Sequence, residues 1–223
     1  MVPRTFVIGD IHGCAATLRQ LIDGTLHPAP CDHIYLLGDL IDRGPDSKGV
    51  LDYIFELQKR GVPVNSILGN HEEMFLQSCR DADNRELWAT NGGNSTLASF
   101  QADGPGDIPR LYRDFLEFLP HYILLDDFVI VHAGLNFDVP DPFTDTEAML
   151  WTRSPVVDRN RIGKRRLICG HTPTPVDRLR QSLNSSKIML DNGCVFGGEP
   201  GTGNLAALEL ESMTLFLQPN VDT

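Results

Sequence analysis

Seven short apolar runs punctuate the chain: TFVI at 5–8, HIYLL at 33–37, VNSIL at 64–68, YILL at 122–125, FVIV at 128–131, RLIC at 166–169 and KIML at 187–190. None alternates cleanly between apolar and polar, which is how strands covered on both faces read. Helical patterns separate the first three. Residues 15–22 place Leu18, Leu21 and Ile22 on one side, and residues 48–58 do the same with Val50, Leu51, Ile54, Phe55 and Leu57. Strand and helix in alternation predict an α/β fold with parallel pairings. Residues 72–120 read as mostly helical, broken by Asn91-Gly92-Gly93 and by DGPGDIP at 103–109. After Pro120 the chain becomes strand-rich. Asp126-Asp127 sits between two apolar runs like a tight hairpin turn, NFDVPDPFTD at 136–145 reads as a loop, and LAALEL and TLFLQ predict a hairpin through 211–213. There is no internal repeat, low-complexity tract or linker, so residues 1–223 are expected to form a single domain.

Composition narrows the function. The chain has 223 residues, 41% of them hydrophobic, enough for one sizeable core. Its net charge of −11 argues against wrapping nucleic acid, whose phosphates demand a basic footprint. If phosphate is handled, positive charge must be supplied locally, by a few arginines or by cations. The cysteines, Cys14, Cys31, Cys79, Cys169 and Cys194, are odd in number and form no CxxC pair, which favours a reducing compartment over a disulfide framework. The short lead before Phe6 and the charged Asp10 do not read as a signal peptide. No apolar run reaches the roughly 20 residues needed to cross a bilayer. The expectation is a cytoplasmic protein with no membrane partner and no obligate protein partner.

The polar residues after the apolar runs carry the chemistry. FVI is followed by Gly9-Asp10-Ile11-His12-Gly13, YLL by Gly38-Asp39, SIL by Gly69-Asn70-His71-Glu72, VIV by His132-Ala133-Gly134 and LIC by Gly170-His171. Each of these expected strands ends in a metal-type ligand beside a glycine. In open α/β sheets the carboxyl ends of strands are where ligands bind. A lone Asp there is often a cap or turn residue, but random loop positions would include Ser, Thr and Lys as freely. Asp10, His12, Asp39, Asn70, His132 and His171 mix carboxylate, amide and imidazole without thiolate, a set suited to Mn, Fe, Zn or Mg. Six ligands are too many for one catalytic ion with an open position. They suit two ions about 3.5–4 Å apart.

GDIHG at 9–13, GDLIDRG at 38–44, GNHE at 69–72, HAG at 132–134 and GHTP at 170–173 together resemble the successive signature motifs of the metallophosphoesterases. More narrowly they resemble the phosphoprotein phosphatase family, which includes the bacteriophage lambda phosphatase and bacterial Ser/Thr phosphatases. DNGCVFGG at 191–198 is similar to the closing segment of that family. The resemblance implies a mixed β-sandwich flanked by helices, with metals at strand ends. It implies that Asp10, His12 and Asp39 hold one ion and that Asp39, bridging, joins Asn70, His132 and His171 around the other. Mn²⁺ is the expected metal, with Fe or Zn as alternatives.

Asp42 and Arg43 need a separate reason. An imidazole beside two cations tends to lose its proton, and a nearby carboxylate restores it and fixes the ring. Asp42 is expected to do this for His71, which then protonates the leaving oxygen as general acid. Arg43 is expected to fork onto phosphate oxygens. The resemblance implies a second phosphate clamp between HAG and GHTP. Arg153 is the best match, with Arg159, Arg161, Arg165 and Arg166 as competitors, and Trp151 beside it reads as a packing residue. The expected reaction is in-line attack on phosphorus by a hydroxide bridging the two ions. His27, His33 and His121 match no motif, Cys14 and Cys169 read as structural, and GGEPGTG at 197–203 reads as a loop near the pocket rim.

These features predict a metal-dependent phosphomonoesterase acting on phosphoserine and phosphothreonine, its substrate a phosphoprotein or a small phosphate compound. The alternative is a dinucleoside-polyphosphate hydrolase on the same scaffold. In those relatives the second motif usually reads GDLVARG, with alanine where this chain has Asp42. A non-catalytic module is disfavoured, because all six ligands, His71 and Arg43 are present.

Overall fold

The computed structural model describes residues 3–222. In chain order, β1 (Thr5–Ile8), α1 (Ala15–Leu21), β2 (His33–Leu36), α2 (Ser47–Lys59) and β3 (Val64–Ser66) form the alternating first third. A helical middle follows: α3 (Asn70–Arg80), α4 (Arg85–Trp88), α5 (Asn94–Phe100) and α6 (Arg110–Glu117). The remainder holds β4 (Tyr122–Leu124), β5 (Phe128–Val131), α7 (Thr146–Trp151), β6 (Arg166–Cys169), α8 (Val176–Ser182), β7 (Lys187–Met189), β8 (Asn204–Glu209) and β9 (Thr214–Pro219).

Two sheets result, ordered β3-β2-β1-β8-β9 and β4-β5-β6-β7. The expected parallel pairings are present: β1 with β2 and β2 with β3 in one sheet, β5 with β6 and β6 with β7 in the other. The two expected hairpins close antiparallel, β4 with β5 across Asp126-Asp127 and β8 with β9 across 210–213. What the local pattern did not give is that β8 lies antiparallel against β1, at the centre of the first sheet.

Successive strand residues face opposite sides, and here both sides are buried. Phe6 and Ile8 pack under α1 and α2 with Leu18, Leu51 and Ile54. Val7 points the other way, into the layer between the sheets, with Ile130, Ile168, Ile188 and Leu208. On the second sheet Leu167 and Cys169 face outward onto Met149 and Ile162. Each side chain so buried contributes about 1.5–3 kcal/mol of transfer free energy. The helix–sheet–sheet–helix layering explains why the apolar runs are continuous. It also brings the carboxyl ends of β1, β2, β3, β5 and β6 to one edge. Backbone bonds stitch the loops there together: His12 N donates to Asp39 O at 2.8 Å, and Gly170 N to His132 O at 2.8 Å.

Candidate active site

All six strand-end residues expected as ligands converge. Asp39 sits at the middle, with Oδ2 3.5 Å from His12 Nε2 and Oδ1 3.4 Å from His132 Nε2. Asn70 Oδ1 lies 2.8 Å from His132 Nε2 and 2.9 Å from His171 Nδ1. Asp10 joins through Oδ2, which accepts from the His171 backbone N–H at 2.8 Å. Two groups of ligand atoms, from His12, Asp39 and His71 and from Asp39, His132 and His171, each lie within 4.8 Å of one another. Asp39 is common to both.

The chemistry of this cluster fits cations. His132 Nδ1 faces the Leu37 carbonyl at 2.7 Å and His12 Nδ1 the Ile41 carbonyl at 3.1 Å. In the neutral ring that nitrogen is therefore the donor, and Nε2 presents its lone pair inward. Burial pushes His12 and His171 down to about 3 and lowers His132, so the rings are neutral near pH 7. The His132 lone pair then faces the Asn70 amide oxygen, another acceptor, an arrangement that a shared cation stabilises. Asp10 Oδ1 and His171 Nε2 are buried with no hydrogen-bond partner. Asp10 is also raised, by burial and by the neighbouring charges of Asp191 and Asp39, a like-charge crowding that divalent ions relieve.

The other side of the site is built differently. Asp42, fully buried, lies 2.8 Å from His71 Nδ1. Its carboxylate also accepts from Trp88 Nε1 at 2.9 and 3.1 Å and from Thr96 Oγ1 at 2.6 Å. Its own N–H donates to Ser47 Oγ and Thr96 Oγ1, both at 3.0 Å. Because Thr96 spends its proton on Asp42, Ser47 donates to Thr96 across 2.9 Å. Burial raises Asp42, and these donors oppose the rise by favouring the charged form. Burial alone would lower His71, but Asp39 and Asp42 outweigh it and raise its pKa above 6.5.

Asn91-Gly92-Gly93 makes that cradle possible. Gly92 has φ +112° and accepts from Arg43 N at 3.2 Å; a Cβ there would lie 2.8 Å from Arg43 N. A Cβ on Gly93 would stand 2.4 Å from the Trp88 indole. The two glycines let the α4–α5 turn press onto Arg43 and hold Trp88 against Asp42. Backbone strain gathers at the same place. Of nine non-glycine residues at positive φ among the described residues, five are His12, Asp39, Asp42, Arg43 and His171. Such conformations, at roughly 1–3 kcal/mol each, persist where surrounding structure enforces them and cluster at functional sites.

Arg43 is exposed, with Nη1 2.6 Å from His12 Nε2 and its guanidinium 5.3 Å from the Phe196 ring centroid. Phe196 precedes the glycine-rich loop at 197–203 and brings it to the site rim. Arg153 is exposed and lines a cavity with Gly170 and Thr172, beside His171. Its competitors are turned onto backbone carbonyls: Arg159 onto Lys164, Arg161 onto Pro140, Arg165 onto Leu125 and Arg166 onto Ser185. Trp151, expected to pack, is 43% exposed, its ring edge-on to His171 at 6.0 Å. It closes a short helix whose buried side is taken by Met149 and Leu150, so the indole faces the site. Cys14 and Cys169 are buried free thiols, as expected of structural cysteines.

Sequence reasoning passed over Glu72, Trp88, Thr96 and Asp191. Glu72 is fully buried and accepts from the backbone N–H groups of Asp39, Leu40 and Gly69 at 2.8–2.9 Å. It locks the β2 and β3 loops together. Asp191, buried, accepts from Gly193 N at 2.6 Å. The available signals were a charged residue inside GNHE and an Asp-Asn-Gly turn.

A calcineurin-like phosphoesterase family model matches residues 3–200. The chain belongs to that family. It is 29% identical to serine/threonine-protein phosphatase 1 of Salmonella typhimurium, over 87% of this chain and 88% of the relative. It is 28% identical to the asymmetrical bis(5'-nucleosyl)-tetraphosphatase PrpE of Geobacillus thermodenitrificans, over 96% of this chain and 93% of the relative. Among solved structures, a protein serine/threonine phosphatase from Saccharomyces cerevisiae superposes with a TM-score of 0.63 at 15% identity, covering 99% of this chain and 81% of that one. A cold-active protein-tyrosine phosphatase of a psychrophilic Shewanella gives 0.63 at 15%, covering 98% and 81%. These two support the metallophosphoesterase fold. The chain is thus a phosphoesterase of the hydrolase class, similar both to protein phosphatases and to dinucleotide hydrolases. Among the described residues no helix is long and apolar enough to cross a membrane.

Proposed function

We propose that the protein is a phosphomonoesterase of phosphoserine and phosphothreonine in proteins. Asp10, His12 and Asp39 hold one divalent ion, and Asp39, Asn70, His132 and His171 a second, with Mn²⁺ the best match to the donor set. When bound, such ions supply positive charge to the phosphoryl group and activate water. His71, oriented by Asp42, protonates the departing oxygen. Arg43 and Arg153 orient the phosphate through paired N–H donors. The free thiols of all five cysteines support the reducing cytoplasm as its compartment.

The observation that carries the reading is the buried Asp42–His71 pair at 2.8 Å. A serine or threonine alkoxide is a poor leaving group, with a conjugate-acid pKa of roughly 15, near that of water. It gains the full benefit of a general acid. A phosphate leaving a polyphosphate chain, with a pKa of about 6, gains little. A chain that surrounds Asp42 with Trp88, Thr96 and His71 is built to protonate a bad leaving group. A second reading, hydrolysis of a dinucleoside polyphosphate, is favoured by the tetraphosphatase relative and by the exposed rings of Trp151 and Phe196, since nucleobases stack on such faces. The test is kcat/KM with Mn²⁺ on a phosphothreonine peptide and on diadenosine tetraphosphate. Preference for the peptide is expected; preference for the dinucleotide reverses the assignment.

A further inference from the structure

Charge is distributed unevenly in this acidic chain. Residues 151–190 hold nine of its 19 lysines and arginines but only two of its 30 acids, Asp158 and Asp177. Ion pairs elsewhere occupy Arg4, Arg19, Lys48, Arg60, Arg80 and Arg110. None of the nine cations in 151–190 pairs with a carboxylate among the described residues.

Their placement is not random. Arg159, Arg166 and Arg180 line one cavity of about 530 Å³ with Asn184, Ser185 and Ser186, and no acid lines it. Arg159 and Arg166 are fixed by bonds to the carbonyls of Lys164 and Ser185, each at 2.8 Å, while each keeps further N–H donors free. Burial and the nearby Arg159 charge lower Arg166, so like charges are held together rather than spread. Ser185 also lines the second cavity, about 240 Å³, where Arg153 and Lys187 stand beside Gly170 and Thr172. That cavity opens next to His171. The basic lining therefore runs from the catalytic edge, along β7, to the arginine cavity at the far end of β6.

We infer that this track binds an acidic polypeptide segment flanking the scissile phosphate, through carboxylates on Arg159, Arg166 and Arg180. Planar guanidinium forks match carboxylates bidentately. The substrate must cross a surface that is otherwise strongly negative, and this track is where its acids are attracted. From Arg166 to His171 the strand spans roughly 15 Å at about 3.3 Å per residue, so acids some four to five residues from the phosphorylated position reach the cavity. The inference rests on the phosphoprotein phosphatase reading for the position of the phosphate.

The test has two arms. In the first, anisotropy follows a fluorescein-labelled, unphosphorylated Glu-rich peptide on metal-free protein. The Arg180 side chain is exposed and donates no hydrogen bond among the described residues, and its carbonyl, which accepts from Leu183 N, is unaffected by substitution, so Arg180→Glu leaves the fold intact. Wild type is expected to bind, Arg180→Glu to bind at least about tenfold more weakly, and Arg180→Lys to retain most affinity. In the second, phosphothreonine peptides with Glu or with Gln at the fifth flanking position are compared. The kcat/KM ratio favouring Glu is expected to fall toward one in Arg180→Glu and in high salt. Failure of the wild type to bind the peptide, or equal binding by Arg180→Glu, overturns the inference. So does binding of inorganic tripolyphosphate in place of the peptide. Peptide binding that Arg180→Glu removes, with no turnover of any phosphate ester, upholds the docking track and refutes the phosphatase reading alone.

Discussion

The two halves of the site satisfy their polar atoms in opposite ways. On the Asp39 side acceptors face acceptors, two buried atoms have no partner, and burial drives the imidazoles neutral. On the Asp42 side both carboxylate oxygens are met by donors from His71, Trp88 and Thr96. The first half balances only with cations, whereas the second is completed by the protein itself. Substitutions should therefore separate metal affinity from proton transfer.

The largest effect is expected at Asp39, which belongs to both ligand groups. Asp39→Asn should weaken Mn²⁺ binding by more than about 100-fold, beyond what loss of an outer partner does, and abolish turnover. Calorimetric titration checks it; unchanged stoichiometry and affinity would break the contrast. Next comes Asp42→Asn, which should retain metal while kcat on a phosphothreonine peptide falls by about 10²–10⁴. Asp39 and Asp42 raise the His71 pKa, which favours its protonated form, and activity falls as pH rises past that pKa. Removing the Asp42 charge lowers that pKa and moves the alkaline limb to lower pH.

Trp88→Phe sharpens the contrast further. It keeps the packing on Phe75, whose ring centroid is 5.2 Å away, but removes the indole donor to Asp42. A lost hydrogen bond to a charged group, about 1.5 kcal/mol, should lower kcat roughly tenfold with metal affinity unchanged; a purely structural role would lower thermal stability instead. The smallest effect lies outside the site. Burial would raise Asp32, but hydrogen bonds from Arg4 and from Ala29 N outweigh it and hold the carboxyl below 3.8. That stability is complete above the unfolded value and is lost as pH falls through the lower folded one. Because Arg4 is 37% exposed, Asp32→Asn should cost only about 1 kcal/mol, lowering Tm by roughly 2–4 °C and leaving both halves of the site as they are.

The convergence of the Asp39 half was legible in the sequence because its residues follow apolar strands beside glycines, and the parallel pairings gave the edge where they meet. Of the Asp42 half, the sequence pointed only to the pairing of Asp42 with His71. Trp88 and Thr96 reach Asp42 from 46 and 54 residues away, on a helical hairpin whose approach depends on Gly92 and Gly93, and no local period reports such a contact. The exposure of Trp151 was missed for a related reason: a tryptophan ending a short amphipathic pattern looks the same whether it closes the core or faces a site. The antiparallel placement of β8 beside β1 is a long-range choice that alternation along the chain does not encode.

The most direct measurement is the leaving-group dependence of the Asp42→Asn defect. Wild type and variant would be compared, with Mn²⁺, on a phosphothreonine peptide and on p-nitrophenyl phosphate, whose leaving group needs little protonation. A large loss on the peptide and a small one on the nitrophenyl ester is the predicted result. Equal losses on both would mean that Asp42 and His71 do not deliver the proton, and would contradict the division of the site into a cation half and an acid half.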